Sequence, residues 1–394
     1  MRAIVVDAAD RAVATRDGRR AFPASRRFCY RQTMPEPYAE RLTSLALVAQ
    51  QDVAPSLGLA TDRYLLGTLG KSSRPRPGIL RIYSFPGDVL AAGRWHLAPP
   101  AAADAGEAFV RRLTGGRALA LGEGYLGISL LLPHRSALFA EDPLALAPFQ
   151  IANRYVRGLL RALKTLGLPV FYPGRDLVTV NRRPIAALSF ETDEDGRLVF
   201  EVILAVERPL GAVAQLLDRW DKGGVIKADL LALESGTCVR SEIGESLPFE
   251  DLAALIRDAF AQQYGITLEP TPLSPLEEQA VAALAQRESR AWTNARVLRH
   301  DLPLSGSSGI QTGVLEARFA LEQERFIKEI QLAGDFIANS PAIATLEYRL
   351  RLCPAEWMAI TRVVDAVFAD PVNYLLGVGR LRTVADAIVK GLPS

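Results

Sequence analysis

The stretch Arg111-Arg112-Leu113-Thr114-Gly115-Gly116-Arg117-Ala118-Leu119-Ala120-Leu121 constrains the fold of this protein more than any other part of the chain. Two arginines precede a glycine pair, and the glycines open an apolar run of strand type. Glycine lets the backbone approach a ligand closely and direct amide groups at an anion. Arginine offers a fork of donors to phosphate or carboxylate. The stretch is therefore compatible with a site for an acyl-adenylate and, on its own, equally with a tight turn flanked by solvated arginines.

Outward from this stretch, hydrophobic periodicity divides the chain into helices and strands. Strands are predicted at Ile79–Tyr83, Asp88–Ala92, Arg117–Leu121, Leu126–Leu132, Leu177–Val180 and Leu198–Ala205. Helices are predicted at Tyr38–Gln51, Leu59–Leu66, Pro148–Leu166, Leu252–Gln263 and Pro275–Arg287. The Asp195-Gly196 pair between the last two strands is a strong hairpin signal.

The composition changes towards the C-terminus. Residues Leu304–Gly309 (LSGSSG) are predicted to be flexible. Two strands, Gly313–Leu321 and Phe326–Leu332, and two or three helices follow, which is typical of a small α+β domain. The predicted organisation is an N-terminal extension at 1–38, a large domain at 39–270, a linker with one helix at 271–312, and a small domain at 313–394.

The central stretch resembles the R-R-x-x-G-G-G-A-x-x-H-D signature of the lipoate–protein ligase and biotin–protein ligase family. Further segments resemble the motifs of that family and follow in the same order. They are Pro55–Ala60 (family D-P-x-x-N-L-A), Leu90–Arg94 (V-V-x-G-R), Pro173–Val178 (G-R-N-D-L-V), Ile185–Ser189 (the end of K-[IV]-x-G-S-A) and Thr237–Ser241 (T-S-V-R-S). Residues 313–394, with Leu332–Phe336, look like the accessory domain of the long-form ligases.

The resemblance implies an α/β (α+β) fold: a class II synthetase-like mixed β-sheet with flanking helices, followed by the small α+β domain. It also implies that lipoate or a related carboxylic acid is activated as acyl-AMP, with ATP and Mg²⁺, and is then passed to a lysine of a lipoyl-carrier domain. The residues that it implies for holding the adenylate and the acyl group are Arg111, Arg112, Gly115, Gly116, Arg117, Ala118, Leu119, Ala120, Arg175 and Asp176.

The sequence departs from the family at the residue that matters most for chemistry. The lysine that neutralises charge on the phosphate and carboxylate is replaced by Pro184, which offers neither a charge nor a backbone donor. A substitute from Arg183 requires a β-bulge, because a shift of one residue along a strand reverses its face. Lys222 and Lys227, in the loop Trp220–Lys227, are the other candidates. An electrostatic donor in an active site is worth about 3 kcal/mol, or about a hundredfold in rate.

Other departures lie in the motifs themselves. The third glycine of the signature is Arg117, whose side chain would crowd or contact the phosphate, and the asparagine expected before Asp176 is missing. Two alternatives to a ligase therefore stay open. One is a non-catalytic protein that binds an acyl-adenylate or a lipoyl group, which Pro184 favours. The other is an octanoyl or lipoyl acyltransferase that uses Cys238, although a buried structural cysteine is the simpler interpretation.

Composition limits the remaining function classes. The 46 basic and 44 acidic residues among 394 give a net charge of +2, which provides no field for nucleic acid. No apolar run is long enough for a membrane span. The scattered histidines His96, His134 and His300 and the three cysteines show no metal-ligand spacing, and His96 is expected to have no partner. With no signal peptide visible, a reducing, cytoplasmic setting is expected.

Overall fold

Aliphatic and β-branched runs such as Tyr125–Leu132 and Leu198–Ala205 are buried on both faces and form the centre of a large sheet. A computed structural model describes residues 41–69, 76–97, 109–210, 236–295, 299 and 301–393. Its strands are β1 Ser44–Gln50, β2 Ile79–Tyr83, β3 Asp88–Ala92, β4 Phe109–Arg111, β5 Leu119–Gly122, β6 Tyr125–Leu132, β7 Val170–Phe171, β8 Leu177–Val180, β9 Arg183–Thr192, β10 Leu198–Ala205, β11 Thr267–Pro270, β12 Leu304–Ile310, β13 Gly313–Glu322, β14 Phe326–Gly334, β15 Ile337–Ala338 and β16 Leu375–Leu376. Its helices are α1 Pro55–Thr68, α2 Pro148–Tyr155, α3 Arg157–Thr165, α4 Val239–Ile243, α5 Phe249–Tyr264, α6 Pro275–Ala295, α7 Ser340–Arg349, α8 Trp357–Phe368 and α9 Thr383–Lys390.

The large sheet is mixed, with the strand order β11-β1-β2-β6-β10-β9-β8-β7. Strand β1 runs parallel to β2 and β11, and the other neighbouring strands are antiparallel. A smaller sheet with the order β4-β3-β5 packs against one face. The mixed sheet with flanking helices confirms the predicted fold class.

Alternate residues of the central strands lie on opposite faces of the large sheet. Leu130 and Phe200 face the helices α2, α3 and α5, whereas Leu131 and Val199 face α1. The face towards α1 and the small sheet is called the site face below. Most side chains on it are apolar, but Ser129 and Glu201 are polar and fully buried there.

The C-terminal residues build a second apolar core. Strands β12, β13 and β14 form an antiparallel sheet that helices α7, α8 and α9 cover. Trp95, which follows β3, joins this core and stacks on Phe336, with ring centroids 5.7 Å apart. All described residues lie within one compact unit, residues 37–394. None of the described helices has the length and apolar composition to cross a membrane.

Two predicted elements are wrong. The helix predicted at Tyr38–Gln51 is strand β1 where the structure describes it, because β1 lies between β2 and β11 and buries Leu45 and Val48 on opposite faces. The flexible stretch at 304–309 is strand β12. Its small residues are needed there, since a side chain at Gly306 would collide with the carbonyl of Ala387.

Other predictions need adjustment. The helix predicted at Pro148–Leu166 divides at Val156 into α2 and α3. The turn at Asp195-Gly196 is confirmed, but it joins β10 to β9, a strand that periodicity did not predict. The segment G-E-G-Y-L-G at 122–127, whose glycine spacing predicts a hairpin turn, forms a turn between β5 and β6. It is not a hairpin turn, because β5 and β6 belong to different sheets. The predicted extension at 1–38 lies outside the described residues.

Candidate functional site

The glycine pair lies in a loop between β4 and β5, here named the glycine loop (residues 113–118). Gly116 has a φ of +81°, a conformation that favours glycine. Gly93, at the end of the Leu90–Arg94 motif, faces the loop so closely that a Cβ at Gly93 would collide with the carbonyl of Gly116. The loop is also tied to β3 through the N–H of Arg112, which donates to Ala92 at 2.8 Å. Two of the quoted motifs therefore meet at these glycines.

Arg112 is almost completely buried and clamps the glycine loop from inside. Its guanidinium donates to the carbonyls of Gly115 at 3.2 Å and of Arg117 at 2.6 Å. It also pairs with Glu201 on β10 at 3.1 Å, and the Thr114 hydroxyl donates to the same carboxylate at 2.6 Å. The side chain predicted to hold an adenylate is thus bonded to the loop's own backbone and to the sheet beneath it.

Arg111 also holds backbone carbonyls, but those of the segment after β3 instead of those of the glycine loop. Its guanidinium donates to the carbonyls of Gly93, Arg94 and His96, the segment that follows β3. The N–H of Gly93 in turn donates to the His96 ring at 2.9 Å. Arg111 therefore supports the turn that packs against the glycine loop.

A buried polar network links the glycine loop to α1 across the site face. Arg81 on β2 donates to Asp62 at 2.9 Å and to the carbonyl of Gly58, which lies in the Pro55–Ala60 motif. Burial raises the pKa of Asp62, although Arg81 opposes that shift. Tyr83, two residues after Arg81 on β2, extends this network to the ion pair of Arg112 and Glu201, because its hydroxyl donates to Glu201 at 3.3 Å.

Arg117, the residue at the third glycine position, extends to another motif. Its Nε lies 2.5 Å from Oδ2 of Asp176 and its Nη2 lies 3.2 Å from Oδ1, which makes a two-pronged buried ion pair. The nearby carboxylates Asp176 and Asp335 raise the pKa of Arg117 against the opposing effect of burial. Arg117 therefore stays charged and lies between a residue of the Pro173–Val178 motif and one of the Leu332–Phe336 motif.

The segment after β14, which contributes to the second apolar core, meets the glycine loop directly. The N–H of Gly116 donates to the carbonyl of Phe336 at 2.8 Å. Asp335 pairs with His96 at 2.6 Å and accepts the N–H of Val314, and these bonds outweigh burial and lower the Asp335 pKa. The prediction that His96 has no partner is therefore wrong. The Ser189 hydroxyl, from the Ile185–Ser189 motif, donates to Gly115 at 2.9 Å and completes the group.

Pro184, which stands where the resemblance predicts a lysine, lies in a tight hairpin. Asn181 and Arg182, with φ of 49° and 66°, form the turn between β8 and β9. Pro184 is buried opposite Thr179, and its carbonyl accepts the N–H of Thr237. The register shifts here, so that Ile185 forms the bulge that a contribution from Arg183 requires.

Arg183 does not turn into the site. Its side chain is 46% exposed and pairs with Glu242 on α4 at 2.6 Å. The other lysine candidates, Lys222 and Lys227, lie outside the described residues. Among the lysines that the structure describes, Lys164 and Lys328 are exposed, and Lys390 donates to Ser308.

The remaining predicted residues are dispersed. Ala118 and Leu119 are buried and pack into the core beside the small sheet, where Ala120 pairs with Leu90. Arg175 is exposed, and its carbonyl accepts a hydrogen bond from Tyr172. Cys238 is buried, with its sulfur 3.0 Å from the Ser241 hydroxyl.

Two acidic residues of this site were not found from the sequence. Glu201 and Glu191 are buried on the site face, where Glu201 accepts a hydrogen bond from Thr114 of the glycine loop and Glu191 accepts one from Ser340 of α7. A usable signal exists, because Glu201 interrupts the apolar run L-V-F-E-V-I-L-A and Ser129 interrupts L-G-I-S-L-L-L. A charged residue inside a doubly buried strand needs a partner, and that partner is Arg112.

The architecture and the converging motifs together define the class of fold. The chain has the catalytic-domain fold of the lipoate–protein ligases, as the motifs predict. It resembles the P. falciparum protein LipL1, solved in complex with lipoate: the TM-score is 0.62, the sequence identity is 13%, and the match covers 87% of this chain and 99% of that one.

A second similar structure is a bi-partite lipoate protein ligase from Thermoplasma acidophilum, solved with its E2 lipoyl domain. It has a TM-score of 0.51 and 14% identity, over 66% of this chain and 99% of that chain. A biotin acetyl coenzyme A carboxylase synthetase from Helicobacter pylori, with bound biotinylated ATP, has a TM-score of 0.31 and 14% identity over 56% and 74% of the two chains. Compared with protein-family models and with curated protein sequences, the chain gives no match.

Proposed function

We propose that this chain is a lipoate–protein ligase-like enzyme that activates lipoate or a related carboxylic acid as acyl-AMP and passes the acyl group to a lysine of a lipoyl-carrier domain. One observation carries the proposal: segments far apart in the sequence meet at the glycine loop. Gly93, Asp176, Ser189 and Phe336 each belong to a different motif, and each contacts the loop or the side chain of Arg117. Unrelated roles for these motifs would not require them to share one place.

The chemistry that this site would support is the adenylation of a carboxylic acid. A carboxylate oxygen attacks the α-phosphorus of ATP, and pyrophosphate leaves with the electron pair of the broken P–O bond. Charge accumulates on oxygens in this step, so cations and amides aimed at them lower the barrier. Arg117 is the charged group of the glycine loop that extends away from the loop's own backbone towards a different strand.

Mg²⁺ accompanies ATP in this proposal. The ion needs only one or two carboxylates when phosphates and water supply its other ligands, and Asp176 is a carboxylate next to the loop. No group of three potential protein ligands for a metal occurs among the described residues. The acceptor is proposed from the likeness to the T. acidophilum ligase, which was solved with its lipoyl domain.

A second candidate is a non-catalytic protein with the same fold that binds an acyl-adenylate or a lipoyl group. It is favoured by the burial of Pro184, since the lysine position is filled by a side chain without charge. The N–H of Gly116 is also already bonded to Phe336. The acyltransferase alternative lacks comparable support, because a nucleophilic thiol must be accessible and Cys238 is only 1% exposed.

Exchange of pyrophosphate into ATP separates the two candidates. Purified protein is given lipoate, octanoate or biotin in turn, and we expect exchange with one of them. Asp176→Asn should abolish it, whereas Asp195→Asn, in the exposed turn between β9 and β10, should leave it unchanged. Absence of exchange with every acid, together with binding of a stable acyl-adenylate analogue, would support the binding protein and refute the ligase.

A further inference from the structure

The three arginines of the central stretch differ in what they hold. Arg112 bonds to carbonyls within the glycine loop, and Arg111 bonds to carbonyls of the segment after β3. Moving the Arg111 guanidinium would remove a donor from the carbonyls of Arg94 and His96, and moving that of Arg112 would remove a donor from the carbonyl of Arg117. Arg117 instead directs two guanidinium nitrogens at the side chain of Asp176, and a side-chain pair can separate without unfolding a loop.

The geometry of the Arg117 pair is that of anion recognition. Two guanidinium nitrogens face two carboxylate oxygens, at 2.5 and 3.2 Å. The same planar fork matches two oxygens of a phosphate. Arg117 is thus shaped to exchange a carboxylate for a phosphate without a new side-chain geometry.

The position of Arg117 complements the loss at Pro184. One residue brings a positive charge to a place where the family signature has glycine, and the other removes the positive charge of the family lysine. Asp176 precedes β8, and Thr179, three residues further on, pairs with Pro184. At about 3.3 Å per residue, Asp176 and Pro184 therefore lie about 10 Å apart along the hairpin of β8 and β9. This distance is within the combined reach of an arginine and a lysine side chain.

We propose that Arg117 is the cation that binds the phosphate of the acyl-adenylate in this protein, in place of the family lysine, and that it leaves Asp176 to do so. The exchange is balanced in charge, because Mg²⁺ arriving with the nucleotide would neutralise the carboxylate that Arg117 releases. A buried carboxylate left without a partner would otherwise be strongly unfavourable. This inference rests on the proposed adenylate site, but it concerns binding and so does not require turnover.

The test is calorimetric binding of lipoyl sulfamoyl-adenosine, a stable analogue in which a sulfamate replaces the phosphate, in the presence of Mg²⁺. We expect Arg117→Gln to weaken binding by at least about tenfold, and Arg117→Lys, which keeps the charge, to weaken it less. The double variant R117G/P184K moves the charge back to the family position and should bind more tightly than Arg117→Gly alone.

Folding is controlled with R117Q/D176N, in which two neutral amides replace the ion pair. This variant should unfold cooperatively like the parent and still bind weakly. If Arg117→Gly bound the analogue as tightly as the parent protein or more tightly, the ion pair would be shown to close the site. If the parent protein bound no analogue, there would be no adenylate site. Either result overturns the inference.

The outcome is separable from that of the ligase proposal. Binding that depends on Arg117 without any pyrophosphate exchange keeps this inference and refutes the ligase. Exchange that persists in Arg117→Gln, with unchanged analogue affinity, does the reverse.

Discussion

The carboxylate of Glu191, near the end of β9, accepts a hydrogen bond of 2.6 Å from the backbone N–H of Ser340, the first residue of α7, and another from the Ser340 hydroxyl. Both bonds end on Oε1, while Oε2 is buried without a hydrogen-bond partner among the described residues. Burial dominates over these bonds and over the nearby Arg94, and it raises the Glu191 pKa to about 8. The contact between β9 and α7 therefore contains a carboxyl group that is mostly protonated at neutral pH.

Stability should accordingly fall as the pH rises towards 8. The folded-state pKa of Glu191 lies above the unfolded value, so its contribution is complete below about pH 4.5 and is lost as the pH passes through about 8. Glu191→Gln keeps an oxygen that accepts both Ser340 bonds and cannot ionise. In urea unfolding from about pH 5.5 to about pH 9, we expect this variant to lose less stability than the parent does. Glu245→Gln, at an exposed site, is the control, and parallel profiles for E191Q and the parent would contradict the prediction.

Glu201→Ala should be among the most destabilising substitutions in the protein. It leaves the buried guanidinium of Arg112 without its carboxylate partner and removes the acceptor of Thr114 and Tyr83. Breaking a buried ion pair costs about 3–5 kcal/mol. Denaturant unfolding measures the loss directly.

Glu207→Ala is the matched control for that substitution, because Glu207 pairs with Arg240, whose side chain is 60% exposed. Exposed pairs contribute about 0–1 kcal/mol. Similar losses in the two variants would show that the Arg112 clamp is not the source of the effect.

Pro184→Lys introduces an ammonium group where the ligase motif that this segment resembles has a lysine. If the site adenylates an acid, the rate of pyrophosphate exchange should rise, by up to about a hundredfold for one electrostatic donor. Pro184→Met offers similar length and the same backbone donor without the charge. An increase in both variants would attribute the gain to the backbone, and an increase in neither would argue against adenylation at this site.

Gly93→Ala should displace the glycine loop. A Cβ at Gly93 collides with the carbonyl of Gly116, which is backbone and cannot move alone. We expect a loss of about 1–3 kcal/mol and weaker binding of the adenylate analogue. Gly67→Ala, in α1, meets no atom within 4 Å and should instead stabilise the protein by about 0.4–1 kcal/mol. Unchanged analogue affinity in G93A would mean that the loop does not form the site.

Cys238→Ala addresses the acyltransferase alternative. The cysteine is buried and its sulfur contacts Ser241, so its removal should cost about 1 kcal/mol of stability and leave transfer to a lipoyl domain largely intact. A complete loss of transfer in a protein that still folds would assign the thiol a chemical role.

Part of the fold could be predicted from the local sequence. Strands such as Leu126–Leu132 and the turn at Asp195-Gly196 were predicted, because residue type and short-range geometry decide them. The mixed-sheet fold followed from the order of the motifs. Strand β1 was not predictable in this way, since Leu45–Ala49 consists of residues that suit a helix equally well and becomes a strand through pairing with β2 and β11.

The same distinction between local sequence and tertiary structure applies to the candidate site. By itself, the sequence determined that the chain carries arginines, glycines and an acid in motifs that resemble those of the ligases, with Pro184 where that resemblance places a lysine. Only the tertiary structure decided their roles: Arg112 became a clamp because Glu201, 89 residues away, lies beneath it, and Arg117 became the cation facing Asp176. Local sequence specifies which groups a chain carries, but the burial and pairing of a charge depend on strands that come together only on folding.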